Sequence, residues 1–131
     1  MALKKGKSRS VEEVRKAVFG TTRSHTNRPS PAPYLSELSK LALWKGIWTR
    51  TDKLDMRSRR LLCIAVLTAI GAHEELEMHV EGALRNGDLS VEELQEAAAH
   101  LAVYCGWPRA HWLPNITLKV SQRLKESEKP D

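Results

Sequence analysis

Two side chains near the middle of the chain have the types and spacing to move a proton. Glu75 and His79 lie four residues apart in the run Leu61–Gly87, LLCIAVLTAIGAHEELEMHVEGALRNG. On a helix that spacing places both on one face, one turn apart. Burying a carboxylate and an imidazole beside apolar neighbours is costly unless the two are paired or used. Paired, the carboxylate orients the ring and the imidazole serves as general acid or base. A structural pair and a face lining a subunit contact stand as the alternatives. A second group of interest precedes them: Arg57, Arg59 and Arg60 crowd the first turns after Asp55. Cations there oppose the helix dipole, so the cluster reads as a site for a carboxylate, or as three arginines reaching solvent or acidic residues of the second half. Metal binding is set aside. His73, Glu74 and Glu77 give H-E-x-x-E where the zinc-protease pattern requires a second histidine, and His73 and Glu77 face the other way from Glu75 and His79.

The elements that must hold these residues all read as helices. From Leu61 to Ile70 almost every residue is apolar, which suits a helix buried on all sides. Asp55 is its N-cap and Gly71 ends it. The following helix, with Ala72, Leu76, Val80 and Ala83 on its inward face, runs to Arg85 and stops at Asn86-Gly87. Ser10 with Glu13 and Ser90 with Glu93 form capping boxes. They open helices over Val11 to about Val18, closed by Gly20, and over Val91–Cys105, closed by Gly106. His100 adjoins the apolar face of the latter and reads first as a hydrogen-bonded core residue. Tyr34 to about Trp48 forms a helix with a wide stripe of Leu35, Leu38, Leu41, Ala42, Trp44, Ile47 and Trp48. The last helix, Pro108 to about Leu124, is interrupted at Pro114: it kinks there, or Asn115 caps a separate segment. Thr21–Pro33, TTRSHTNRPSPAP, reads as a loop that carries His25 in solvent. No stretch alternates as a strand does. The expectation is a single-domain, all-α bundle of about six helices over residues 10–125. A disordered basic tail, 1–9, and a frayed tail, 126–131, flank it.

Composition narrows the functional classes. The 131 residues carry a net charge of +5, divided unevenly. Residues 1–60 hold 15 Lys and Arg against 5 Asp and Glu, a balance of +10; residues 61–131 hold 6 against 11, a balance of −5. A basic half can meet nucleic acid, a small anion or an acidic patch on a neighbouring subunit. The scattered basic residues and the absence of a recognised motif argue against nucleic acid. Cys63 and Cys105 read as two buried thiols in a reducing compartment. The start, MALKKGKSRS, lacks an apolar h-region, and the longest apolar run is too short to span a bilayer. A soluble, cytoplasmic protein is expected.

The segment LDMRSRRLLCIAVLTAIGAHEELEMHVEGALRNGDLSVEELQEAAAHLAVYCGWPRA resembles the carboxymuconolactone decarboxylase family. The likeness continues upstream through WKGIWTR and VRKAVFG, so it covers roughly Val11 to Ala110. Among the residues at recurrent positions are Arg15, Trp44, Trp48, Arg50, Arg57, Arg59, Glu75, His79, Gly82, Asn86, His100 and Tyr104. The resemblance implies a cofactor-free helical fold of the type shared with alkylhydroperoxidase D, assembled as a homotrimer or homohexamer with sites near subunit contacts. It also implies a carboxy-lyase of aromatic degradation, converting 4-carboxymuconolactone to 3-oxoadipate enol-lactone in the protocatechuate branch. His79 and Glu75 become the catalytic candidates. Arg50, Arg57, Arg59, Arg60, Trp48 and His100 become candidates for holding an anionic substrate. The C-x-x-C of the peroxidase relatives is replaced by Ala72 and Glu75, which argues against a thiol relay needing two neighbouring thiols. Departures from the family pattern occur at Thr51-Asp52-Lys53, at Arg60 and at Pro114. Two further readings stand beside the decarboxylase: a paralogue acting on another anionic lactone or carbonyl compound, for example in secondary metabolism, and a non-catalytic helical oligomer for binding or assembly.

Overall fold

A computed structural model describes residues 9–20 and 30–130. The described residues form helices α1 (Val11–Phe19), α2 (Pro33–Leu38), α3 (Met56–Ile70), α4 (His73–Asn86), α5 (Val91–Cys105), α6 (Trp107–Ala110) and α7 (Trp112–Ser127). Helix α2 runs on without a break into a π-helical stretch, Ser39–Lys45. With that rod counted once and α6 a single turn, six longer helices make the bundle, and the fold is all-α. His25 and most of the Thr21–Pro33 segment lie outside the described residues.

The helix boundaries follow local chemistry. Ser10 and Glu13 close a reciprocal capping box, as do Ser90 and Glu93. The Asp55 side chain accepts from the Ser58 backbone N–H at the start of α3. Gly71 and Gly87 end α3 and α4 in the left-handed conformation that a side chain would strain. Pro114 neither kinks a long helix nor precedes a new cap. The break falls one turn earlier, at His111, and Pro114 sits in the first turn of α7, where its missing N–H leaves no intrahelical bond unmade.

Helix α4 is the pillar, packed against α1, α3 and α7. Its inward residues Leu76, Val80 and Ala83 meet Ile64, Leu94, Ala98, Leu113, Ile116 and Val120 in the main core. Beside that face Glu77 and Glu81 also reach α7, pairing with Lys119 and Arg123. A second, aromatic core lies where α1 meets the π-helical stretch: Val14, Val18, Trp44 and Trp48, with Phe19, Met56 and Cys63 against them.

The expectation that Leu61–Ile70 is buried on all sides is corrected. Only Arg60, Ile64 and Thr68 of α3 are buried, whereas Leu62, Val66 and Ile70 stand 58%, 56% and 63% exposed. The stripe after Tyr34 is corrected in the same way: Trp44 and Trp48 are buried, but Leu35, Leu38, Leu41 and Ile47 face outward. An uninterrupted apolar run reports burial without saying whether the chain itself supplies the cover.

Candidate functional site

The site is built around Arg60, which sits in the second turn of α3 with its side chain fully buried. Each of its three guanidinium nitrogens finds an acceptor. Nε and Nη2 donate to Asp88 Oδ2 at 3.3 and 3.1 Å. Nη2 also donates to the Val18 carbonyl oxygen, and Nη1 lies 3.1 Å from His79 Nδ1. Val18 belongs to the last turn of α1, whose carbonyls lack intrahelical partners and carry the negative end of the helix dipole. Arg60 therefore caps α1 as well as pairing with Asp88, and Asn86 adds a second cap by donating to the Ala17 carbonyl. Asp88 is brought into place by the left-handed Gly87 immediately before it.

Gly82 makes the meeting possible. A β-carbon there would fall inside 3.0 Å of the Val18 carbonyl oxygen and 3.0 and 3.1 Å from the two terminal nitrogens of Arg60. The two helices approach this closely because that position carries no side chain.

His79 stands between this cluster and the aromatic core. Trp48 stacks on its ring at 5.8 Å and 19°, and Phe19 approaches at 5.3 Å and 60°. Trp48 also covers the Arg60 guanidinium at 5.8 Å. Burial, and then the charge of Arg60, push the His79 pKa down to about 4, so the ring is neutral at physiological pH. Burial lowers the Arg60 pKa and Asp88 opposes that shift. Its guanidinium starts from so high a value that it stays protonated. His79 Nε2 has no hydrogen-bond partner among the described residues, and the ring keeps partial exposure. The arrangement is a neutral imidazole with one nitrogen anchored and the other available.

The expected Glu75–His79 pair is not formed. Glu75 is exposed and makes no hydrogen bond or ion pair among the described residues; the partner of His79 Nδ1 is Arg60. Nor is Arg60 placed to meet a ligand carboxylate, since its donors are committed inside the protein. Arg57 donates to the Asp88 carbonyl and, with two nitrogens, to Glu93 at 3.1 and 2.7 Å. That fork holds the Glu93 pKa down to about 2. Arg59 donates to the carbonyls of Leu54 and Arg50. The conflict of three cations at a helix start is thus relieved by carbonyls and acids of the chain itself. Trp48 lies on the His79 ring, the Arg50 side chain is exposed, and His100 is exposed and stacks on Tyr104 instead of joining the cluster. The part sequence reasoning missed is Asp88, together with the Val18 carbonyl and Phe19. Asp88 follows a left-handed glycine signal, which marks a turn but gives no hint of a partner 28 residues earlier.

His73 and Glu77 do point elsewhere. With Trp112, on which His73 stacks at 3.8 Å, they line a cleft of about 250 Å³ between α4 and α7. No group of three or more His, Cys, Asp or Glu side chains suited to a metal occurs among the described residues. None of the described helices is long and apolar enough to cross a membrane.

Residues 36–117, which contain Arg60, His79 and Asp88, match the model of the carboxymuconolactone decarboxylase family. The chain belongs to that family. It is 33% identical over 118 residues to the 4-carboxymuconolactone decarboxylase of Acinetobacter baylyi, covering 86% of this chain and 84% of that protein. It is 34% identical over 99 residues to the nitrosuccinic acid decarboxylase npaB of Metarhizium robertsii, covering 73% and 68% respectively. Both relatives are decarboxylases by name, which places decarboxylase chemistry at the level of the family. No solved structure matches the chain. Within this member of the carboxymuconolactone decarboxylase family, Val18 and Phe19 lie ahead of the matched segment. The site therefore joins the matched segment to α1.

Proposed function

We propose that the protein is a cofactor-free decarboxylase whose substrate is 4-carboxymuconolactone, converted to 3-oxoadipate enol-lactone with release of carbon dioxide. The observation that carries this reading is the neutral, aromatic-walled His79 with a free Nε2, set within a chain that matches a named 4-carboxymuconolactone decarboxylase over most of its length. The bond from the ring carbon to the carboxylate breaks, and its electron pair passes into the unsaturated lactone as an enolate. A dry, pre-arranged donor stabilises that charge more than water does, and His79 meets it with its free nitrogen. Among the arginines expected to hold carboxylates, Arg50 has a guanidinium not committed to an internal bond among the described residues, and we assign it that role. Glu75, exposed and without contact to the ring, is given no role in this step.

The exposed faces of α2, α3 and α5, including Leu62, Val66 and Tyr104, support a homotrimer or homohexamer, because apolar surface of that extent is ordinarily covered by another chain. Two unpaired cysteines fit a cytoplasmic setting.

A second substrate reading rests on the nitrosuccinic acid decarboxylase, which is similar to the same degree. A carboxylate next to a nitro-bearing carbon also leaves its electron pair in an adjacent sink, so one donor serves both reactions.

The test is an assay of the purified protein with each substrate, following carbon dioxide release, beside a His79→Ala control. Turnover of 4-carboxymuconolactone that falls at least 100-fold in the control supports the reading. Turnover of nitrosuccinate alone selects the second substrate, and full activity in His79→Ala removes the histidine from the mechanism.

A further inference from the structure

We propose that Arg60 is the positioning residue of His79, holding the imidazole as the neutral Nε2–H tautomer so that the site presents a hydrogen-bond donor and no ring base. An arginine side chain has donors and no acceptor. A guanidinium nitrogen 3.1 Å from His79 Nδ1 therefore faces that atom's lone pair, and the single ring proton of the neutral form sits on Nε2. The donor cannot swing aside, because the same guanidinium is fixed by Asp88 Oδ2 and by the Val18 carbonyl and is covered by Trp48.

The charge that acts on the ring is that of Arg60, which disfavours a second ring proton. From α3 comes Arg60, with Asp88 behind it on the turn after α4, and Cys63 is a further titratable group beside Arg60. Phe19 of α1 and Trp48, which follows the π-helical stretch, pack on the ring without charge. Glu75, one turn earlier on α4, makes no bond to the ring. Among the described residues no acidic group touches the imidazole to favour a proton on Nδ1.

This inference rests on the proposed decarboxylation only for its catalytic meaning. There, Nε2–H would donate to the oxygen that gains charge as the carboxylate departs. The ring would keep its proton, and the new C–H bond would take its proton from solvent. A neutral histidine can act as an electrophile in this way when its surroundings depress its basicity.

The experiment is nitrogen NMR of the ¹⁵N-labelled full chain without substrate, with the His79 ring signals assigned by their loss in His79→Gln. The expected spectrum shows a protonated Nε2 and an unprotonated Nδ1 from pH 5.5 to 8. A protonated Nδ1, or titration near the ordinary 6.5, overturns the proposal. In the charge-balanced variant Arg60→Met/Asp88→Asn the ring should recover tautomer exchange and ordinary titration, and Arg60→Lys should restore the Nε2–H form in part. An unchanged ring signal in the folded double variant also overturns it; if that variant does not fold, the wild-type spectrum alone decides. Since the spectrum needs no substrate, a correct tautomer with no decarboxylation refutes the proposed reaction alone. Decarboxylation with the wrong tautomer refutes this inference alone.

Discussion

Replacing Gly82 by alanine tests whether the α1–α4 contact organises the site. In an isolated helix the change is favourable by about 1 kcal/mol, because glycine is the poorer helix former. Here the added methyl would meet the Val18 carbonyl inside 3.0 Å and both terminal nitrogens of Arg60 at about 3 Å. Forcing a methyl into a packed contact costs about 1–3 kcal/mol. Loosening the charged hydrogen bond from Arg60 to Val18 adds about 1.5–3 kcal/mol. The packing and hydrogen-bond losses outweigh the propensity gain, and a net destabilisation of about 1.5–5 kcal/mol is expected. With a urea slope of about 2 kcal/mol per M, that is a midpoint lowered by about 0.8–2.5 M, read at one fixed protein concentration so that any assembly does not shift the comparison. Gly87→Ala is the control. Nothing lies within 4 Å of a β-carbon there, so only the left-handed backbone is penalised, by about 1–2 kcal/mol. If Gly82→Ala matches or exceeds the wild type in stability, the close approach of α1 and the buried capping bond are refuted together.

Further outcomes follow from the same bonds. Because the His79 pKa falls from 6.5 to about 4 on folding, the unfolded chain takes up the proton first. Stability is whole above pH 6.5 and declines as pH drops toward 4, by about 3 kcal/mol in all at 1.36 kcal/mol per unit. Urea midpoints across that range should slope in the wild type, and His79→Gln should remove that share of the slope; an unaltered slope sinks the assignment. Arg57→Ala should let the Glu93 carboxyl rise from about 2 toward its ordinary value, read by carboxyl-carbon NMR titration. It should stop short of that value because the Ser90 N–H still donates to Glu93. Val66→Glu places a charge on the exposed apolar face of α3, and if the proposed oligomer forms through that face it should give smaller species by light scattering while helical circular dichroism persists.

How much of this was legible in the sequence depended on the range of the signal. Both capping boxes, the Asp55 cap and the glycine stops are local chemistry, complete within four residues, and the helices begin and end where those signals place them. The proximity of His79 to Arg60 of α3 is a long-range fact. Sequence spacing offered Glu75 as the partner of His79 because helical periodicity reports neighbours on one helix only. The actual partner, Arg60, comes from the preceding helix, and its counter-ion from the turn beyond α4. The apolar run of α3 misled for a related reason: hydrophobicity is a property of the segment, whereas burial within one chain depends on which neighbours that chain provides. Arg60 itself was visible as an anomaly, a cation near a helix start, but the sequence did not tell a ligand's carboxylate from Asp88 and a carbonyl of α1.

The same few bonds hold α1 to the bundle and determine the state of His79, and this links stability to reactivity. Burying Arg60 carries a desolvation penalty of several kcal/mol, offset only if its remaining partners are well placed. Asp88 supplies the charge, while the end of α1 supplies an orphan carbonyl at the negative end of a dipole. With its positive charge balanced in this way, Arg60 has one nitrogen left, and His79 receives it. The histidine is therefore the last member of a chain of satisfied donors, in a position where protonation would set two cations side by side in an apolar wall. A lysine at position 60 could keep the charge but not point three nitrogens at three separate acceptors. A small polar residue would leave Asp88 and Val18 without their buried donor. Variation at position 60 is then expected to alter how α1 docks and which nitrogen His79 presents together, because one guanidinium makes both contacts.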